Sequence, residues 1–228
     1  MSFWIIIVMM IFLVTSFLAT RITVGGVPGL FTKTIASLGF VFAAVIAMIY
    51  VDFEKYYAFI IVGLIFGLIG DILLDLKVLY KQDSAVYLNY GMLAFGLGHL
   101  MYFMALGNYY GFNGSFVGKT FIALAIGLVA SLLIVFVGGK LLKLDFGEFK
   151  WQTVAYSTIL VAVMALSLIT GIKNNTLMWM NIGLVVFFAS DLVLSTQYFG
   201  GQQDNKILTI INHVLYYAAQ VMIVSVLY

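Results

Sequence analysis

Two aspartates lie in a strongly apolar stretch, where a carboxylate is costly. Residues 63–76 read Gly-Leu-Ile-Phe-Gly-Leu-Ile-Gly-Asp-Ile-Leu-Leu-Asp-Leu, which places Asp71 and Asp75 four residues apart and so on one helix face. A charge inside hydrocarbon costs about 3 kcal/mol or more, so a chain that keeps one there pairs it or uses it. Asp71 is therefore a candidate for acid–base chemistry. For Asp75, beside Lys77 at the predicted membrane boundary, a solvated position is as good an interpretation.

Further polar side chains that could do chemistry lie inside later apolar segments. Asp191 repeats the setting of Asp71, and Tyr217 lies too far from either end of its segment to belong to an interfacial aromatic belt. In a membrane, such side chains must point to partners or to a wet cavity inside the helix bundle. The other members of this set are His99, Tyr102, Ser190, His213, Tyr216 and Gln220.

Asp71 and Asp191 together would suit three kinds of chemistry. A protonated carboxylic acid beside an ionised one is the equipment of general acid–base catalysis. The same pair could bind a proton or a cation in a small membrane transporter. With His99 and His213 it could also hold zinc, but the missing third histidine makes that interpretation weak.

The composition restricts the class of protein that presents these residues. Of 228 residues, 64% are hydrophobic and only 9% are charged, whereas a soluble domain has about 25% charged residues. The solvent of this chain must therefore be largely lipid. A net charge of +2 gives no sign of a nucleic-acid partner, and the absence of cysteine excludes disulfides, thiolate metal sites and cysteine nucleophiles.

Hydropathy predicts an all-α polytopic membrane protein, because about 20 apolar residues span a bilayer as a helix. The first run has no basic region before it, so we interpret it as a retained helix rather than a signal peptide. Connections are short, which predicts a single domain over residues 1–228. The eight predicted spans are 3–20, 34–50, 56–76, 86–106, 118–138, 153–171, 177–199 and 207–227.

The distribution of Lys and Arg predicts the orientation, since cytoplasmic loops carry the excess. One side holds eight of these residues: Arg21, Lys33, Lys77, Lys81, Lys140, Lys143, Lys150 and Lys206. The other holds three: Lys55, Lys119 and Lys173. We therefore expect both termini outside the cytoplasm, the carboxylates in the cytoplasmic half of the bundle, and residence in the plasma (inner) membrane.

Two parts of the chain contain similar motifs at a spacing of 120 residues. The third predicted span contains Gly70-Asp71-Ile-Leu-Leu and the seventh contains Ser190-Asp191-Leu-Val-Leu. The spans that follow contain His99-Leu-Met-Tyr102 and His213-Val-Leu-Tyr216. Four helices per half predict two repeats of parallel orientation, with Asp71 and Asp191 brought together at the centre.

Four motifs, in this order, resemble those of the YhhN-like, lysoplasmalogenase family of membrane proteins. They are Gly70-Asp71…Leu74, Gly91…Phe95…His99-Leu-Met-Tyr102, Phe188-Ala-Ser190-Asp191…Leu194 and Tyr217-Ala-Ala-Gln220. The resemblance implies eight membrane helices and hydrolysis of the vinyl-ether bond of lysoplasmalogens. The products would be a fatty aldehyde and glycerophosphoethanolamine or glycerophosphocholine, formed without a cofactor or a metal. The implied partners are this lysophospholipid, water and the surrounding membrane lipid.

The resemblance also implies roles for particular residues. Asp71 and Asp191 would be catalytic, one donating a proton to the distal alkene carbon while the other stays ionised and positions the water. The family often has Lys-Pro at the start of its second helix, where this chain has Lys33-Thr34, so Lys33 is the candidate for the substrate phosphate. Asp75 and His213 lie outside the pattern and are secondary candidates. The residues implied to orient the substrate are His99, Tyr102, Ser190, Tyr217 and Gln220.

Overall fold

A computed structural model describes residues 3–171 and 177–228 of the chain. Within these ranges the protein is all-helical, and eight helices are long and apolar enough to cross a membrane. They are α1 (Phe3–Thr23), α2 (Gly26–Tyr50), α3 (Lys55–Leu79), α4 (Ser84–Tyr110), α5 (Gly114–Leu132), α6 (Lys150–Gly171), α7 (Met178–Phe199) and α8 (Lys206–Val224). The prediction of an all-α integral membrane protein with eight spans is confirmed.

The helices extend beyond the apolar runs that predicted them. α2 begins at Gly26 rather than at residue 34, and Pro28 lies in its first turn, where a missing backbone N–H is tolerated. Gly25 and Gly26 have φ angles of 65° and 57°, which glycine adopts without strain. The reversal from α1 into α2 is therefore very short and brings the end of α1 beside the start of α2.

The fifth span departs from a regular α-helix near its end. Leu133–Gly138 form a π-helical turn, and Gly139–Leu141 return to α-helical geometry before the chain leaves the span. A short 3₁₀ turn at Gly147–Phe149 then leads into α6. Such π turns often occur at functional sites.

The chain divides into two compact units. The first unit runs to Ala105 and includes Val224–Tyr228. Its α3 and α4 approach closely, since a Cβ on Gly98 would lie 3.0 Å from the carbonyl oxygen of Gly63 and one on Gly70 would lie 2.6 Å from the Phe95 ring. The glycines on α3 therefore let the neighbouring helix approach, as small residues do between membrane helices.

The second unit comprises Leu106–Ile223. Here α5 packs on α6 where a Cβ on Gly127 would lie 2.6 Å from the carbonyl oxygen of Thr158. α7 packs on α8 at Gly183, against the carbonyl oxygen of Ala219.

Four predictions about organisation remain predictions. They are the parallel repeat, the single domain, the membrane orientation and the type of membrane. Lys173, one of the residues on which the orientation rests, lies outside the described residues.

Candidate functional site

Two cations and two carboxylates from three helices meet inside the first unit. The Lys33 Nζ atom lies 3.1 Å from Asp71 Oδ1 and 3.2 Å from Asp75 Oδ1. Arg21 donates through a terminal guanidinium nitrogen to the other oxygen of Asp75. We call Arg21, Lys33, Asp71 and Asp75 the charge cluster. Its formal charges sum to zero, as a buried ionic group requires if it is to be stable.

Local sequence explains why these four side chains meet. Arg21 lies in the last turn of α1. The chain reverses direction at Gly25 and Gly26, so the start of α2 lies beside the end of α1. A Cβ on Gly29 would lie 3.4 Å from Arg21 Nε, so the absent side chain leaves room for the guanidinium group to lie against α2. The spacing of Asp71 and Asp75 presents both carboxylates on one face of α3.

Ser37 completes the surroundings of Asp71. It lies one turn after Lys33 on α2, and its hydroxyl donates to Asp71 Oδ2 over 2.6 Å. Both oxygens of Asp71 are thus engaged, one by an ammonium group and one by a hydroxyl. Only 3% of Asp71 is exposed, and Ser37 is fully buried.

The solvated interpretation of Asp75 is wrong. Asp75 is 5% exposed and is paired with both cations of the charge cluster. The cost of burying the Asp75 carboxylate is offset because Arg21, on α1, forms an ion pair with it. Sequence reasoning assigned Arg21 and Ser37 no role. The signal that could have found Ser37 is its four-residue spacing from Lys33, which matches the spacing of Asp71 and Asp75.

His99 and Tyr102 lie on α4 in the same unit, and both are buried. His99 Nδ1 lies 2.7 Å from the carbonyl oxygen of Phe95, which sets the ring orientation and assigns this nitrogen the proton. The two rings contact edge to face, with centroids 5.8 Å apart. Tyr102 packs against Gly63 on α3, so it helps to fix the distance between α3 and α4.

Asp191 lies on α7 in the second unit and has a different environment. The hydroxyl of Tyr156, on α6, donates to Asp191 Oδ2 over 2.5 Å. Asp191 is half-buried, whereas Asp71 is buried. The hydroxyl partner was not predicted, because nothing in the sequence links position 156 to position 191. The expected meeting of Asp71 with Asp191 stays a prediction.

The remaining candidates of the second unit lie along α7 and α8. Ser190 and Asn212 form a reciprocal pair: the Ser190 hydroxyl donates to the Asn212 carbonyl oxygen over 3.1 Å, and the Asn212 amide donates to the Ser190 carbonyl oxygen over 2.9 Å. The Gln220 amide donates to the Tyr216 hydroxyl over 3.0 Å. Tyr217 is 2% exposed and its ring contacts that of Tyr216.

His213, the secondary candidate on α8, is half-buried. Its Nδ1 atom lies 2.8 Å from the Thr209 carbonyl oxygen, in the preceding turn of the same helix. Throughout the described part of the chain, no three His, Asp or Glu side chains are arranged so that they could hold a metal ion.

Comparison with known proteins identifies a family. The model of the YhhN family matches residues 29–227, which covers α3 to α8 completely and nearly all of α2. Among curated proteins and among solved structures, nothing matches the chain. The four motifs that carry the resemblance all lie inside the matched range.

Proposed function

The chain belongs to the YhhN family, and we propose that it is a membrane-embedded hydrolase that cleaves the vinyl-ether bond of lysoplasmalogens. The products are a fatty aldehyde and a glycerophospho-alcohol. This is the activity that the family resemblance implies, and the charge cluster of the first unit is the observation that supports it most directly.

The reaction passes through a cation that needs an anion nearby. Protonation of the distal alkene carbon converts the vinyl ether into an oxocarbenium ion, and water then adds to the carbon bonded to oxygen. The resulting hemiacetal loses the glycerophospho-alcohol and leaves the aldehyde. A preorganised carboxylate in a site of low dielectric stabilises the cationic transition state, as carboxylates do in glycosidases.

Asp71 suits the role of that anion. Its carboxylate is held by Lys33 and by the Ser37 hydroxyl, so it needs no reorganisation as positive charge develops. Lys33 is itself shared with Asp75, which Arg21 also binds. We propose that Lys33 neutralises the carboxylates of the charge cluster when no substrate is bound. Contact with the substrate phosphate remains the alternative role of Lys33.

We keep Asp191 as the second catalytic candidate and assign it the proton donor's role. The neutral phenol of Tyr156 donates a hydrogen bond to it, and an uncharged donor suits a carboxyl group that gives up and regains a proton. His99, Tyr102, Ser190, Tyr217 and Gln220 are proposed to orient the substrate. The aliphatic chain occupies apolar space among the helices.

The charge cluster counts against the alternative of a cation transporter. A transported cation at Asp71 would need the carboxylate oxygens, but the Lys33 ammonium group and the Ser37 hydroxyl already occupy both of them. A resident ammonium group at 3.1 Å also repels a second cation.

The test is aldehyde release from lysoplasmenylethanolamine by the purified protein in detergent, where no membrane gradient exists. Wild type is expected to release aldehyde, and Asp71→Asn and Asp191→Asn are each expected to lower the rate by about 100-fold or more. This is the size of a lost electrostatic stabiliser for Asp71 and of a lost acid–base group for Asp191. Asp83→Asn is the matched control, because Asp83 is exposed and lies outside the charge cluster. EDTA is expected to leave all rates unchanged.

Three results would contradict the proposal. Well-folded wild type that releases no aldehyde from a panel of head groups would favour another lipid substrate or transport. Loss of activity in EDTA would favour the metal alternative. Equal rates for Asp71→Asn and Asp83→Asn would remove Asp71 from the reaction. Equal rates for Asp191→Asn and Asp83→Asn would remove Asp191 and leave Asp71 as the single catalytic carboxylate.

A further inference from the structure

A pocket opens between the end of the fifth span and the start of α6, inside the second unit. It has a volume of about 270 Å³ and is partly open to its surroundings. Its lining includes Phe136 from the π-helical turn, Lys140 and Lys150 from the two spans, and Asp145 and Gly147 from the connection. We call it the hairpin pocket.

The connection that forms the hairpin pocket is held in place by its own packing. Phe146 is buried in a small cluster with Val135 and Val154, and a Cβ on Gly139 would lie 2.7 Å from the Phe146 ring. The backbone N–H of Asp145 donates to the carbonyl oxygen of Phe199 over 2.8 Å. The pocket is therefore preformed, which lowers the entropic cost of filling it.

The charges in the hairpin pocket favour an anion. Among the described residues neither Lys140 nor Lys150 forms an ion pair, and the Lys150 Nζ atom lies 4.2 Å above the Phe136 ring. The Asp145 carboxylate accepts the backbone N–H of Gly147 over 3.0 Å, so its charge is partly compensated inside the connection. Two ammonium groups against one carboxylate leave the lining with a net charge of +1, which favours a ligand of opposite charge.

The rim of the hairpin pocket has the composition of a membrane interface. Trp151 is 67% exposed and its ring lies 5.9 Å from that of Phe136. Leu141 and Leu142, which directly follow Lys140 at the end of a membrane-spanning segment, are also exposed. Tryptophan beside lysine is typical of the headgroup level of a bilayer, and apolar side chains around a basic pocket favour a ligand with its own acyl chains.

We propose that the hairpin pocket binds the phosphate headgroup of an anionic membrane phospholipid. Lys140 and Lys150 contact the phosphodiester, while the acyl chains lie along Trp151 and the exposed leucines. Basic pockets between membrane helices recognise anionic headgroups in this way. This lipid site is independent of vinyl-ether hydrolysis and is tested without any measurement of activity.

The test is competitive lipid retention, measured by native mass spectrometry of the detergent-solubilised protein. Wild type is mixed with equal amounts of phosphatidylglycerol and phosphatidylcholine that carry the same acyl chains. Because each lysine near an anionic headgroup is worth about a fivefold change in binding, wild type is expected to retain phosphatidylglycerol at least fivefold more than phosphatidylcholine. Lys140→Gln/Lys150→Gln is expected to retain the two lipids about equally.

The matched control is Lys143→Gln/Lys206→Gln, which removes the same charge from exposed positions that do not line the pocket. This variant is expected to keep the wild-type preference. Equal retention of the two lipids by wild type, or the same loss of preference in both double variants, would overturn the lipid site. Displacement of phosphatidylglycerol by millimolar inorganic phosphate would overturn the lipid in favour of a free phosphate ligand.

Discussion

Asp71 and Asp191 lie in similar short motifs, 120 residues apart, but in different chemical surroundings. Asp71 in the first unit is buried and is held by Lys33 and Ser37, and Asp75 and Arg21 complete a neutral set of four charges. Asp191 in the second unit is half-buried and accepts a phenol hydroxyl. A carboxylate in a membrane protein can thus be stabilised either by an opposite charge or by a neutral hydrogen-bond donor. Where opposite charges stabilise it, as at Asp71, the stability of the protein depends on the charge balance of the cluster.

The helix pairs that carry the motif are also joined differently. Gly70 on α3 has no side chain and lets the Phe95 ring of α4 approach. The corresponding position on α7 is Ser190, which exchanges hydrogen bonds with Asn212 of α8. The first pair therefore depends on close packing, and the second on side-chain hydrogen bonds in addition to packing at Gly183.

The largest effect is expected from breaking the charge cluster. Lys33→Met leaves the carboxylates of Asp71 and Asp75 with Arg21 as the one remaining cation of the cluster. Removing one partner of a buried ion pair costs about 3–5 kcal/mol, so the free energy of unfolding in detergent should fall by that amount. Chemical denaturation monitored by tryptophan fluorescence measures it.

Charge balance can be restored at a second position. Lys33→Met/Asp71→Asn keeps the ion pair of Arg21 with Asp75 and removes the carboxylate that has lost its cation, so it should recover at least half of the lost stability. Tyr156→Phe is the comparison in the second unit, where loss of one hydrogen bond to the Asp191 carboxylate should cost about 1.5–3 kcal/mol. A double variant as unstable as Lys33→Met, or an equal cost for Tyr156→Phe, would contradict the charge-balance account.

A smaller effect is expected from filling the space at Gly70. Gly70→Ala places a Cβ 2.6 Å from a carbon of the Phe95 ring, and overpacking of this kind costs about 1–3 kcal/mol. Thermal unfolding in detergent measures the loss. Gly118→Ala on α5 is the control, because a Cβ there meets nothing within 4 Å. If both variants lose the same stability, close approach of α3 and α4 does not stabilise the first unit.

The smallest effect is expected at the hydrogen-bonded pair of α7 and α8. Asn212→Leu removes the amide that donates to Ser190, and side-chain hydrogen bonds between membrane helices are worth about 0.6–1.7 kcal/mol. The same unfolding assay applies. Ser195→Ala is the control, since the Ser195 hydroxyl bonds the Leu192 carbonyl oxygen of its own helix. A loss at Asn212 no larger than the loss at Ser195 would refute the contribution of this pair.

Hydropathy predicted the eight spans because length and apolarity decide whether a segment crosses a bilayer. The cost of a charge in hydrocarbon predicted that Asp71 is paired or used, and it is buried beside Lys33. Arg21 could not be found in this way, since a basic residue at the end of a span looks like an interfacial charge. Its guanidinium group reaches Asp75 through a tertiary contact over 54 residues of chain.

Other features depend on contacts that a single sequence does not contain. The Tyr156 hydroxyl reaches Asp191 across 35 residues, and α6 has no pattern that singles out this tyrosine. The π-helical turn at Leu133–Gly138 lies in an apolar run with no proline to mark it. The hairpin pocket is formed by that turn and by the packing of Phe146. Because this packing is not visible in the sequence, the sequence shows Lys140 and Lys150 only as positive charges near a connection.

The most direct test of the proposed reaction is hydrolysis of lysoplasmenylethanolamine in D₂O, with the aldehyde reduced at once by borohydride to trap it. Wild type and Asp83→Asn are expected to give a product with one deuterium on the carbon next to the former carbonyl, because the distal alkene carbon is protonated from solvent. Asp71→Asn is expected to form this product more slowly by about 100-fold or more. A product without deuterium at that carbon, or full activity in Asp71→Asn, would contradict carboxylate-assisted vinyl-ether hydrolysis at Asp71.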